Sequence, residues 1–122
     1  MKYTINNYLP KQGDIVWFNS NPTSGREINK HRPALILSGT PFNAQTGFIV
    51  VAPITSTKHD QLIALPEKLK TKGYVNFIHL KSIDFMSENR EVKYKESVDL
   101  DVIGRVAHRV LNIFNFEELF DL

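Results

Sequence analysis

The chain has 122 residues, 42% of them hydrophobic and 23% charged, with a formal net charge of +2. That length suits one domain, 1–122, with a modest core, and so mild a charge permits a local basic face without arguing for a polyanion partner. The absence of cysteine excludes disulfides, thiolate nucleophiles and cysteine-ligated zinc. No stretch approaches the roughly 20 apolar residues of a membrane helix and the N-terminus has no signal-peptide pattern, so a cytoplasmic protein without membrane contact is expected.

Residues 1–12 are polar and carry Pro10, an extended lead-in that Tyr3, Tyr8 and Leu9 can pin to the body. Asp14 to Phe18 has a strand composition. Trp17 and Phe18 alternate across it, so one faces the core and the other a groove side, with core packing the simpler reading for both. A long polar segment follows, punctuated by Pro22 and Gly25 and carrying Arg26, Lys30, His31 and Arg32. Loops of this length are often functional, and a guanidinium at the foot of a strand is a natural clamp for phosphate or carboxylate. Pro33 to Ser38 reads as a buried strand. Gly39-Thr40-Pro41 and Asn43 to Gly47 read as two turns. Phe48 to Ile54 is the most hydrophobic run and belongs at the sheet centre, with Pro53 ending or edging it because proline cannot donate to a ladder.

Thr55 to Lys58 is a hydroxyl-rich exit from that run, and Gln61 to Leu65 a shorter strand. Lys68, Lys70 and Lys72 form a solvated loop that can add sequence-independent attraction to RNA. Tyr74 to Leu80 and Ser82 to Phe85 are two strands or one bent strand, and Glu91 to Lys95 alternates like a half-buried edge strand. The period then changes. Ile103, Val106, Ala107, Val110, Leu111 and Phe114 recur at three and four residues, an amphipathic helix that Ser97 or Asp99 can cap, with Asp101 in its first turn. Phe116 to Leu122 is a short extra turn or an apolar tail that docks. The class is therefore mostly β with a C-terminal helix, in a small, strongly curved antiparallel sheet or partly open barrel. Histidines at 31, 59, 79 and 108 have no metal-ligand spacing, so neither metal nor cofactor is expected.

Three blocks carry a resemblance: Gly13-Asp14-Ile15-Val16-Trp17, Asn21-Pro22-Thr23-Ser24-Gly25-Arg26-Glu27, and Lys30-His31-Arg32-Pro33-Ala34-Leu35-Ile36-Leu37-Ser38. In order and spacing they resemble the MazF/PemK-type toxins, endoribonucleases of toxin–antitoxin pairs. The resemblance implies an SH3-like barrel with appended helices, a homodimer, and inhibition by a cognate antitoxin. It also implies metal-independent cleavage of single-stranded RNA by 2′-hydroxyl attack, leaving a 2′,3′-cyclic phosphate and a 5′-hydroxyl. Arg32 matches the family's main catalytic arginine in its His-Arg-Pro context. Thr55, after Pro53-Ile54, matches the catalytic Thr or Ser, with Ser56 and Thr57 as substitutes. The chemistry needs such groups, because a preorganised guanidinium and a hydroxyl can stabilise charge growing on the phosphoryl oxygens.

His31 is adjacent to Arg32, so in an extended segment the two point in opposite directions; it is either a proton shuttle or a loop-packing residue. Asn21, Thr23, Arg26, Lys30, Ser56, Lys58 and Lys81 complete the set expected to contact RNA. The chain departs from the family pattern at Asn76 to Asp84, where Ile78 replaces an acid and His79 a glutamine. On a strand the two point to opposite faces, so His79 would not inherit the acid's direction; it is a substitute base, an RNA contact or a structural residue. Two other readings remain: a non-catalytic small-barrel module that binds nucleic acid or peptide, and an inactive toxin relative that binds an antitoxin.

Overall fold

A computed structural model describes residues 2–21 and 31–120. Among these residues the strands are β1 (Asp14–Asn19), β2 (His31–Ile36), β3 (Phe48–Thr55), β4 (Ile63–Ala64), β5 (Tyr74–Val75), β6 (Lys81–Asp84) and β7 (Lys93–Ser97). The helices are α1 (Thr40–Thr46), α2 (Leu100–Phe114) and α3 (Phe116–Phe120). The strands form one antiparallel sheet in the order β4-β5-β3-β2-β1-β7, with β6 also beside β3. The curved sheet does not close, so β4, β6 and β7 each have an unpaired side, and β7 fulfils the edge-strand expectation a little downstream of Glu91.

Both faces of the sheet are covered. Ile15, Leu35, Ala52, Ile54 and Val75 pack on one face against Val102 and Val106 of α2. Val16, Phe18, Ala34, Ile36, Ile49, Val51, Ile83 and Phe85 form a second cluster with Val92. Burial on both sides accounts for the unbroken apolar runs of β2 and β3. In α2, Asp99 caps the start by accepting from the Val102 N–H at 3.2 Å, and Asn115 ends it in the left-handed region. Its apolar stripe is wider than the sheet needs: Leu111 and Phe114 are exposed, and the Phe114 and Phe116 rings stack at 5.6 Å. α3 realises the extra turn, up to Phe120; Asp121 and Leu122 lie outside the described residues.

Several expectations are corrected. The two turns between β2 and β3 are one helix, α1, with Pro41 in its first turn and Gly47 as its left-handed cap at φ 76°. Proline near the start and glycine past the end suit a helix as well as a pair of turns. What decides is Asn43, whose buried amide donates to the Pro10 carbonyl at 2.9 Å and accepts from the Ser38 hydroxyl. Trp17 and Phe18 do not share the core. Phe18 is buried, while Trp17 is exposed on the opposite face under the Lys95 ammonium, 5.1 Å from the ring centre. The strand expected over Gln61 to Leu65 is confined to Ile63–Ala64.

Pro53 neither ends β3 nor lies at a sheet edge, and its effect shapes the site. One edge of β3 pairs with β2; the other pairs with β6 over Phe48 to Val51 and with β5 over Ile54 and Thr55. From Tyr74 to Asp84 the chain therefore runs along β3 as two short strands. Opposite Ala52 and Pro53 it loops out, and residues 76–80 leave the ladder. The Pro53 carbonyl accepts from the Asn76 N–H at 2.8 Å, so the proline nitrogen faces that same edge and has no proton to give. Ile78 and His79 consequently sit in a turn, and the opposite-faces reading of them does not apply.

Two carboxylates tie the periphery down. Buried Asp14 accepts from the Tyr8 hydroxyl at 2.6 Å and the Ser97 hydroxyl at 2.8 Å, joining the lead-in to β1 and β7. Burial and this bond push the Tyr8 phenol up. Glu96 of β7 accepts from the N–H groups of Lys70 (3.1 Å) and Thr71 (2.6 Å) and from the Thr71 hydroxyl. Burial works to raise its carboxyl, but these bonds and the Lys95 charge outweigh it and hold the group below its ordinary 4.5. A lowered carboxylate contributes stability above its unfolded pKa and loses it as pH falls through the folded value. Melting temperature should therefore drop below pH 4.5, and Glu96→Gln should flatten that limb while lowering the neutral plateau. An unchanged acid limb in the variant would assign the titration to other groups.

Candidate active site

β2 and β3 part company at the end of the sheet where the chemistry collects. Their register pairs Ala34 with Pro53, Leu35 with Ala52 and Ile36 with Val51. Continued two positions, it sets Arg32 across from Thr55, on the face that also carries Phe18, the β1 partner of Arg32. A strand alternates sides at every residue, so this placement follows from the ladder. β6 adds Lys81, opposite Val51, with its ammonium 5.8 Å from the centre of the Phe18 ring.

The space between these elements is a cavity of about 610 Å³ lined by Phe18, Ser20, His31, Arg32, Pro33, Pro53, Ile54, Thr55, Ser56, Lys72, Asn76, His79 and Lys81. Its floor is apolar, from Phe18 and the two prolines. Its walls carry three cations, two histidines, hydroxyls and an amide, and among the described lining residues there is no carboxylate. Arg32 is exposed and donates through Nη1 to the His31 carbonyl at 3.2 Å. Thr55 is half-buried, and its hydroxyl accepts from the Thr57 N–H at 3.2 Å. Such a set can hold a phosphodiester, with the guanidinium and a hydroxyl directed at the phosphoryl oxygens. A groove of similar volume, about 620 Å³, lies between α2 and β4 and contains none of the candidate residues.

Of the residues singled out in the sequence, the cavity brings together Arg32, Thr55, Ser56, His31, His79 and Lys81. Asn21 and Lys58 are exposed and do not line it. Thr23, Arg26 and Lys30 lie outside the described residues. Sequence reading missed Asn76 and Ser20 as lining residues and left Lys72 in a solvated loop. For Asn76 the signal was present in Pro53, whose missing donor forces the bulge that carries Asn76 and His79 inward. Ser20 carries no local signal. Among the described residues, no group of three or more His, Asp or Glu is arranged to hold a metal.

An open, curved β sheet with a cationic, hydroxyl-bearing cavity at one end defines a small β protein with a site suited to an anionic ligand. Residues 11–114 match the model of the PemK-like, MazF-like toxins of type II toxin–antitoxin systems, and the chain belongs to that family. It is 38% identical over 52 residues to the endoribonuclease toxin MazF of Escherichia coli K12, a match spanning 43% of this chain and 47% of that relative. The crystal structure of MazF from Deinococcus radiodurans superposes with a TM-score of 0.76 at 30% identity, covering 89% of this chain and 99% of that one. A MazE–MazF crystal structure from the same organism gives 0.77 at 29% identity, covering 88% and 98%. The fold expectation is met: an antiparallel, barrel-like sheet with C-terminal helices.

Proposed function

We propose that this chain is a sequence-selective, metal-independent endoribonuclease toxin acting on single-stranded RNA. The observation that carries the reading is the cation-rich lining that includes Arg32 and Thr55, which the register of β2 and β3 puts on one face. Single-stranded RNA suits the cavity because its bases are splayed and its phosphates accessible. Attack of a ribose 2′-hydroxyl on the adjacent phosphorus builds negative charge on the non-bridging oxygens. Arg32 stabilises that charge with paired hydrogen bonds, and the Thr55 hydroxyl donates to the same oxygens or orients the nucleophile. Lys72 and Lys81 hold neighbouring phosphates, while Ser56, Asn76 and His79 contact the nucleotide. The products are a 2′,3′-cyclic phosphate and a 5′-hydroxyl.

The D. radiodurans MazF chain is found with MazE. By that likeness an antitoxin neutralises this chain; an acidic, disordered segment ordering itself in the cavity fits the charge. Exposed Leu111, Phe114, Phe116 and Leu119 support a homodimer, and a cytoplasmic site of action fits both partners. A second reading, an inactive relative retained for antitoxin binding, is favoured by Ile78, which stands 52% exposed where many relatives have an acid.

Incubation of purified protein with short single-stranded RNAs in excess EDTA separates the two. Cleavage with cyclic-phosphate ends supports the ribonuclease. No cleavage of any sequence, with retained antitoxin binding, supports the inactive relative. In the same assay Thr55→Val, which keeps the shape and removes the hydroxyl, should slow cleavage about tenfold with unchanged products, the value of one hydrogen bond. An unaffected rate would move that role to another hydroxyl.

A further inference from the structure

We infer that Trp17 is a stacking platform for one base of the RNA outside the cut dinucleotide, an inference that rests on the ribonuclease reading above. The cavity is not confined to the sheet face of Arg32, Phe18 and Thr55. His31, Pro33 and Ile54 also line it, and strand alternation puts them on the opposite face. The lining thus wraps around the end of the sheet. On that second face Pro33 is the register partner of Trp17, so the indole stands one strand outward from the cavity wall.

The ring is supported from one side and open to solvent elsewhere. Ile15, two residues earlier on the same face, packs with Val102 and Val106 of α2, but Trp17 does not join that cluster and stays 36% exposed. The Lys95 ammonium lies 5.1 Å from the ring centre. Lys95 is itself held, because it donates to the Thr71 hydroxyl and lies 3.8 Å from Glu96 Oε2. An indole already fixed against a cation loses little freedom when a base settles on it.

Cations flank the ring on both sides. Lys93 is exposed and opposite Trp17 in the β1–β7 register, and Lys72, next to Thr71, lines the cavity. The neighbouring carboxylates are engaged within the protein. Glu96 accepts from the Lys70 and Thr71 N–H groups, and Glu91 Oε2 lies 2.5 Å from His31 Nε2. Glu91 follows the 3₁₀ turn Glu88–Arg90, which Arg90 fastens to β1 by donating to the Asn19 carbonyl at 2.9 Å. A strand leaving the cavity therefore passes Lys72 and Pro33, then Trp17 and Lys93. Lysines along a backbone path with an aromatic ring under a base are the means by which proteins hold single strands, and such stacking adds affinity with little choice of base.

Trp17 is the chain's single tryptophan, so its fluorescence reports on this ring alone. A short RNA that the protein cuts is made with a 2′-deoxy nucleotide at the cut, which removes the nucleophile, and is titrated into the wild type. Binding should quench the fluorescence. With single abasic nucleotides placed in turn along the RNA, one position outside the cut dinucleotide should lose the quench and weaken binding about tenfold. On the cleavable RNA, Trp17→Leu should raise KM about tenfold at unchanged kcat, with melting curves showing a folded protein, and should cost nothing on the RNA abasic at that position. Trp17→Phe should recover most of the loss. A Trp17→Leu KM within about twofold of wild type, a penalty equal on every abasic RNA, or binding without quenching would overturn the inference while wild-type cleavage stands. Quenching that follows protein concentration without RNA would make the ring a contact between copies and overturn it as well. A wild type that cuts no RNA overturns the ribonuclease reading, and the inference with it.

Discussion

Arg32→Ala should lower the cleavage rate on the order of 10²–10³-fold, the cost of removing one preorganised donor from a developing oxyanion. The fold should survive, because Arg32 is exposed at the open end of β2, beyond the last residue of that strand paired with β3. Wild-type and variant rates on one RNA, with melting curves for both, make the comparison. Lysine at the same position should recover little of the rate, since a point charge does not reproduce the paired geometry of a guanidinium. A correctly folded Arg32→Ala protein cutting within about threefold of wild type would remove Arg32 from the chemistry.

Gly73→Ala should be among the most destabilising single changes in the chain. Gly73 has φ +129°, and a Cβ there would meet the Thr55 carbonyl oxygen at 2.4 Å and its carbon at 3.1 Å. Both the dihedral and the contact oppose a side chain, and the obstacle is backbone, which cannot swing aside as a flexible side chain would. Relief requires β5 to move off β3 at the Thr55–Tyr74 pair. The expected loss is about 3 kcal/mol, read as a melting temperature lower by roughly 10–20 °C. Cleavage should also fall at temperatures where the variant is fully folded, because Thr55 is the residue displaced. A melting temperature close to wild type would mean that β5 yields more easily than the close approach implies. Full activity in a destabilised variant would separate the position of Thr55 from catalysis.

The parts of this fold that could be read in advance rest on signals carried by neighbours in sequence. β1 to β3 announce themselves as β-branched and aromatic runs, and α2 by its spacing and the Asp99 cap. The strand between Tyr74 and Asp84 was legible only as an ambiguity, two strands or one bent strand. Its break is set by Pro53, which becomes its neighbour only when the sheet forms. α1 was lost to the same limitation: Pro41 and Gly47 fit turns or a helix, and Asn43 decides through a bond to Pro10, thirty-three residues away.

For the site, the sequence by itself determined the chemical inventory: a guanidinium before Pro33, a hydroxyl two residues after Pro53, no cysteine and scattered histidines. Residue type and immediate context set what each group can do, and local sequence carries both. Only the tertiary structure decided which groups meet. Arg32 and Thr55 reach one cavity because the register of β2 and β3 puts them on the same face, since a slip of one residue would turn either side chain to the other face. Asn76 and His79 enter the cavity because a proline on β3 leaves a gap in the ladder. Glu91 reaches His31 because a 3₁₀ turn is fastened across the end of β1. Each of these is a contact between residues far apart in the chain, and such contacts exist only once the sheet has brought its edges together.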